Sequence, residues 1–148
     1  MNQPIVKLFP PDFAEITDVW EASVRATHDF LREADIRQMK PLVRDEYLFG
    51  VSLFGVRAAD GRILGFLGVA GNKIEMLFIH PDARGRGIGK QLLDYATGPL
   101  GADEVDVNEQ NGQAVGFYLH AGFRVAGRSE VDGQGQPFPL LHLKRARK

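Results

Sequence analysis

In the run Ile74-Glu-Met-Leu-Phe-Ile-His-Pro-Asp-Ala-Arg-Gly-Arg-Gly-Ile-Gly-Lys-Gln-Leu-Leu93, three glycines at 85, 87 and 89 alternate with Arg84, Arg86, Ile88 and Lys90. Residues without a Cβ let successive backbone N–H groups approach a ligand closely. Helical spacing resumes at Ile88, Leu92, Leu93 and Ala96, so the loop ends at a helix start whose positive dipole end meets the same ligand. Upstream, five of the six residues 74–79 are apolar, as in a buried strand, and Pro81 ends the pairing because it lacks an N–H. Strand, glycine loop and helix start in this order make a pyrophosphate cradle. The competing reading is a glycine-rich surface turn with solvated arginines.

The spacing excludes two common cradles. A Walker-type loop needs a glycine five residues before Gly89-Lys90, where this chain has Arg84, and Gln91 stands where magnesium would need Ser or Thr. A dinucleotide fingerprint needs glycines at 85, 87 and 90, and position 90 is Lys. Nucleotide hydrolysis and NAD binding are therefore not expected.

What remains is Arg84-x-x-Gly87-x-Gly89, which resembles the acetyl-CoA signature Gln/Arg-x-x-Gly-x-Gly/Ala of the GNAT N-acetyltransferase superfamily. A second block, Asn111-Gly-Gln-Ala-Val-Gly-Phe-Tyr118-Leu-His-Ala-Gly122-Phe123, resembles the later motif of that superfamily: Asn, a short apolar helix, Tyr, then Gly-Phe. The stretches Ser23-Val-Arg-Ala-Thr-His28-Asp-Phe-Leu31 and Val107-Asn-Glu-Gln-Asn111 look most like the small bacterial acetyltransferases of the YjaB type. The resemblance implies an α+β fold: a mixed, mostly antiparallel central sheet of about seven strands, with a splayed parallel pair and about four helices on both faces. It also implies acetyl-CoA as cosubstrate, a primary amine (protein lysine or small molecule) as acceptor, and no metal. A non-catalytic acetyl-CoA sensor is the alternative from another class.

Acetyl transfer from a thioester to an amine passes through a tetrahedral oxyanion, which needs a thioester positioner, an oxyanion donor, a proton route and an acid for the thiolate. By resemblance, the backbone of Leu77, Phe78 and Ile79 would bond the pantetheine arm and polarise the carbonyl. Arg84, Gly85, Arg86, Gly87, Ile88, Gly89 and Lys90 would hold the pyrophosphate. Asn111 begins the later helix, where it can cap the backbone or reach the cofactor's amides. Tyr118 lies seven residues on, nearly two turns, so both fall on one helical face. Resemblance makes its phenol the acid for the thiolate; packing with Val115 and Leu119 is the structural alternative. Glu75 and Asp106 match places where superfamily members keep a carboxylate base, while water can also serve, and either is equally an ordinary strand carboxylate. His28, between the early helices, lines the acceptor pocket, carries the proton or is simply structural. His80, His120 and His142 lack the i, i+4 spacing of a metal helix.

The chain has 148 residues, 44% hydrophobic and 25% charged, which suits a single domain over residues 1–148 with one sizeable core. A net charge of −1 supplies no field for nucleic acid, and Lys144-Arg145-Ala-Arg147-Lys148 reads as a solvated terminus. The absence of cysteine rules out a covalent acetyl-cysteine, so transfer must be direct. No apolar run approaches the roughly 18 residues of a membrane span, and Met1-Asn-Gln-Pro-Ile-Val-Lys lacks a signal-peptide pattern. A cytoplasmic protein without a membrane partner is expected. Folds of this kind often dimerise through exposed strand edges, and the sequence leaves the oligomeric state, homodimer or monomer, open.

The elements that must position these residues follow from pattern. Residues 6–9 read as a strand, and Pro11-Asp12 opens a helix, Asp12 its cap, with Phe13, Ile16, Val19, Trp20 and Val24 on one face. One helix is expected to include residues 35–39 and another residues 41–48, parted at Pro41. Strands at 52–57 and 63–69 flank Asp60-Gly61, a hairpin signal. A strand at 104–107, a helix at 112–121 closed by Gly122, a strand from Phe123, a loop at 132–137 and a strand at 140–144 complete the order.

Overall fold

The chain runs β1 (Ile5–Leu8), α1 (Phe13–Thr27), α2 (Glu33–Asp45), β2 (Ser52–Arg57), β3 (Ile63–Ala70), β4 (Lys73–Ile79), α3 (Ile88–Thr97), β5 (Glu104–Asn108), α4 (Gly112–His120), β6 (Phe123–Ser129) and β7 (Leu140–Arg145) in the computed structural model, which describes residues 3–146. Met1, Asn2, Arg147 and Lys148 lie outside the described residues, and with them the ends of the leader and basic-tail readings. Lys144 and Arg145 are not a free tail. They close β7, where Arg145 pairs in register with Phe123 and its guanidinium donates to the Ala121 carbonyl.

The sheet has seven strands in the order β1-β2-β3-β4-β5-β7-β6, with all neighbours antiparallel except the parallel pair β4–β5. Buried side chains form two clusters, one on each face. On one face α1 and α2 bury Ile16, Val19, Trp20, Val24, Ile36 and Val43; on the other, α3 buries Ile88, Leu92, Leu93 and Ala96, and α4 buries Tyr118. β3 is covered on both sides and reads as a near-continuous apolar run for that reason.

Two local expectations are corrected. Helix α2 runs through Pro41 rather than breaking there, because Ile36 and Val43 lie on one buried stripe against α1 while Pro41 faces solvent. Asp12 occupies the N-cap position of α1 without capping it; its carboxylate accepts instead from the Phe9 N–H and from Arg57, tying the helix entry to β2.

A β-bulge shapes the middle of the sheet. Met76 faces Gly68 and Ile74 faces Val69, so Glu75 is the extra residue of β4. The insertion resets the side-chain alternation: Ile74, Leu77 and Ile79 pack toward α3, whereas Met76 and Phe78 pack toward α1. Beside the bulge the parallel pairing stops. Only Lys73 with Glu104 and Ile74 with Val105 are in register, and beyond them β4 and β5 splay apart.

Candidate active site

The splay opens a cleft of about 530 Å³ between β4 and β5, lined by Leu77, Phe78 and Ile79 on one wall, Val105, Asp106 and Asn108 on the other, and α4 residues including Tyr118. The His80 N–H donates to the Leu64 carbonyl, so strand alternation turns the His80 and Phe78 backbone groups toward β3 and those of Leu77 and Ile79 toward the gap. The two outer residues of the expected trio thus present amide groups to a ligand. Phe78 offers its side chain instead, which packs toward His28 with ring centroids 6.4 Å apart.

At one end of the cleft the glycine loop turns into α3. Gly87 is the N-cap residue with φ +78°, Gly85 has φ +81°, and a Cβ at either would meet no protein atom within 4 Å. The first bond of the turn runs from the Gln91 N–H to the Gly87 carbonyl, leaving the N–H groups of Ile88, Gly89 and Lys90 without helical partners. Those amides, the dipole end and the open side of the glycines fit a pyrophosphate. Arg84 and Lys90 line the same space, Lys90 also pairing with Asp94 at 2.9 Å, while Arg86 turns to the Asp82 carbonyl. The Ile88 side chain is buried against the core, so only its backbone is available to a ligand. Gly65 of β3 seats this corner: a Cβ there would come within 2.6 Å of Ile79 Cδ1 and 3.2 Å of Ile88 Cγ2.

Helix α4 crosses the opening. Asn111 serves as both cap and cleft residue: its Oδ1 accepts from the Ala114 N–H at 3.2 Å, and its Nδ2 faces His28 Nε2 at 3.4 Å. Tyr118 is 6% exposed, packed edge-on to Phe117 and Phe123, and its phenol borders the cleft; burial raises its pKa above the ordinary tyrosine value. Gln113, Ala114 and Phe117 also line the space; Ala114 shares the helical face of Asn111 and Tyr118, whereas Gln113 and Phe117 reach the cleft from the neighbouring face, which that spacing does not reveal.

The carboxylates differ in what surrounds them. Glu75 stands exposed on the bulge at the cleft's edge. Asp106 has both oxygens engaged, Oδ2 with Lys73 Nζ at 2.6 Å and Oδ1 with His142 Nδ1 at 2.7 Å. Burial pushes its carboxyl up, but the bonds from Lys73 and His142 outweigh that and hold it below the usual carboxylate range. His142 continues to Ser129 Oγ at 2.6 Å. This is the bonding order of a serine hydrolase triad, but only Asp106 of the three lines the cleft.

His28 closes α1 at the turn into α2, its ring 5.2 Å from that of Phe30, which in turn meets Phe138 of the β6–β7 loop at 6.0 Å. Arg25, bonded to Glu21 and Glu33, braces the base of this turn. Ser23 and Thr27 line the cleft beside His28, two residues that sequence reasoning missed because helical hydroxyls carry no periodic signal. Among the described residues no group of three or more His, Cys, Asp and Glu is gathered to hold a metal, and no helix is long and apolar enough to cross a membrane.

A splayed parallel pair, a glycine-capped helix beneath it and a tyrosine across it define an acyl-CoA-dependent transferase, and the acetyltransferase (GNAT) domain family matches residues 24–139: the chain belongs to the GNAT N-acetyltransferases. It is an acyltransferase that uses acetyl-CoA to acetylate an amine. It is 46% identical over 125 residues to the peptidyl-lysine N-acetyltransferase YjaB of Salmonella typhimurium (84% of this chain, 86% of the relative). The solution structure of apo-form YjaB from Escherichia coli superimposes with a TM-score of 0.88 at 38% identity, covering 100% of both chains. The fold is shared with the PaiA N-acetyltransferase of Thermoplasma acidophilum, solved in complex with coenzyme A, at a TM-score of 0.74 and 23% identity over 99% of this chain and 100% of that one.

Proposed function

We propose that this chain transfers acetyl directly from acetyl-CoA to the ε-amine of a protein lysine. The observation that carries the reading is the splay itself: the backbone edge of Leu77 and Ile79 that it leaves unpaired lines the same cleft as Gly87–Lys90 and Tyr118, the groups that thioester transfer needs together. The names of the relatives support lysine as the acceptor. Glu75, exposed at the cleft's edge, favours a cationic amine.

In this reading, Arg84, Gly85, Gly87, Gly89 and Lys90 bind the pyrophosphate through backbone amides and charge, with Arg86 adding to the field. The thioester supplies an activated acyl carbon when bound. The Leu77 and Ile79 amides orient the pantetheine arm and donate to the developing oxyanion, Asn111 holds the arm's far side, and Tyr118 gives its proton to the departing sulfur. A non-catalytic sensor would have no need of the phenol.

The test is thiol release from acetyl-CoA in the presence of lysine peptides, folded protein substrates and polyamines. Release with peptides alone supports the reading, release confined to polyamines replaces the acceptor, and tight binding without release favours a sensor. The same reading carries one N-acetyltransferase domain across residues 1–148, a cytosolic setting, no nucleic-acid or membrane partner, and any homodimer contact at the sheet edges β1 or β6. Fractionation and sizing of the tagged chain check these.

A further inference from the structure

An acceptor ammonium must lose a proton before it attacks, and the hydrogen bonds around the cleft discriminate between the groups able to take it. Asp106 is committed to Lys73 and His142. Glu75 lines the cleft's edge but is exposed to solvent, and no hydrogen bond to a described residue orients its carboxylate. His28 differs from both, because its two ring nitrogens have different partners. The Thr27 hydroxyl donates to the Ser23 carbonyl at 2.8 Å, so its oxygen can only accept from the imidazole Nδ1, 2.7 Å away. At the other nitrogen, Asn111 has its Oδ1 engaged by the Ala114 N–H, so the amide presents Nδ2–H to His28 Nε2. Both constraints require the same tautomer: Nδ1 carries the hydrogen, and the Nε2 lone pair is held only by the Asn111 amide across a long 3.4 Å contact at the cleft wall, which an acceptor ammonium can replace.

We infer that His28 Nε2 is the base that deprotonates the acceptor amine, with Thr27 as the positioning residue that fixes its tautomer. This rests on the acetyl-transfer reading above. The acceptor R–NH3+ gives one proton to Nε2, and the freed lone pair forms the C–N bond at the acyl carbon. The C–S bond breaks with its electron pair on sulfur, which takes the Tyr118 proton. A second proton leaves the new amide nitrogen and restores the phenol. The product amide keeps one hydrogen, and the imidazolium releases its proton to solvent.

Electrostatics agree with the geometry. Burial lowers the His28 pKa, and the Asp29 carboxylate in the same turn opposes it less strongly. The other titratable and charged groups lining the cleft with it are Tyr118 of α4, Glu75 of β4, Asp106 of β5, and Arg84 and Lys90 of the glycine loop.

Three measurements on the full chain test the role. Nitrogen-15 spectra of the parent's imidazoles at neutral pH are expected to show the Nδ1–H tautomer for His28; an Nε2–H tautomer overturns the inference without any turnover assay. The kcat/KM–pH profile of the parent is expected to fall on the acid side. In His28→Asn, which keeps a donor for Thr27 but has no basic nitrogen, kcat should drop by about 100-fold and that limb should vanish, with acetyl-CoA affinity as in the parent. Thr27→Val should keep the limb and lose several-fold in kcat. A His28→Asn protein that binds acetyl-CoA normally and retains parental kcat and pH profile overturns the inference while leaving acetyl transfer intact. A parent that releases no thiol overturns the transfer reading itself.

Discussion

Replacing Tyr118 by Phe removes one oxygen and little else. The ring is 6% exposed and stacks edge-on with Phe117 and Phe123 at 5.2 and 5.5 Å, contacts that Phe retains. The hydroxyl bonds to no other described residue, so its loss strands no partner, and stability should change by less than about 1 kcal/mol. Catalysis should respond far more. A positioned general acid contributes about 10²–10⁴ in rate, equivalent to about 3–5 kcal/mol of barrier. Thiol release should therefore fall by that factor, while calorimetric affinity for acetyl-CoA and the thermal midpoint stay near parental values. Burial keeps the phenol protonated through neutral pH, the donor form that the proposed acid role requires. The raised pKa also has a stability sign. Above the ordinary tyrosine value of about 10 the unfolded chain ionises while the buried phenol resists, so the parent loses stability as pH rises past that point, and the Phe variant lacks this component. A Phe variant with kcat within about threefold of the parent would refute the acid assignment; a large fall in thermal midpoint would recast Tyr118 as packing.

Gly87→Ala and Gly89→Ala should diverge. The first forces a side chain to φ +78°, a strain of about 1–2 kcal/mol, or moves the loop amides, so coenzyme A affinity should fall about tenfold by calorimetry. The second places a Cβ in ordinary contact with Phe117 at 3.7 Å and should stabilise the chain by about 0.4–1 kcal/mol in denaturant melts with affinity retained. Gly65→Ala should destabilise by about 1–3 kcal/mol and weaken coenzyme A binding, because the new methyl displaces Ile79 and presses on Ile88; unchanged binding would mean that this corner does not set the loop. Asp106 titrates below its ordinary range, so its stabilisation is complete above about pH 4 and is lost as pH falls toward its folded value; acid denaturation of Asp106→Asn should show a flatter curve there.

Local chemistry made much of this site legible in advance. Asp60-Gly61 marked its hairpin, and the glycine spacing marked the start of α3, because turns and caps depend on neighbouring residues. The bulge at Glu75 was invisible: residues 74–79 are apolar on both parities, so no period-two signal could reveal a reset of alternation. Pro41 misled because a buried stripe against α1 overrode a local breaker. The engagement of Asp106 by Lys73 and His142, and the meeting of His28 with Asn111, join residues dozens of positions apart that only the tertiary fold brings together, while Thr27, the other partner of His28, is its immediate neighbour. Spacing can nominate a titratable group, but its protonation is decided by the partners that the folded chain sets against it.

Two residue pairs join β4 to β5, and with them the meander to the β5–β7 ladder. The meander strands on one side and β5, β6 and β7 on the other each have long internal ladders, so the most thinly hydrogen-bonded line of the sheet runs through the cleft, bridged by the side chains of one buried cluster. In the proposed reading, acetyl-CoA lying along the free edge of Leu77 and Ile79 would act as a missing strand and mend that line. Occupancy should then be readable as slowed amide exchange at those positions, and binding energy here becomes folding energy.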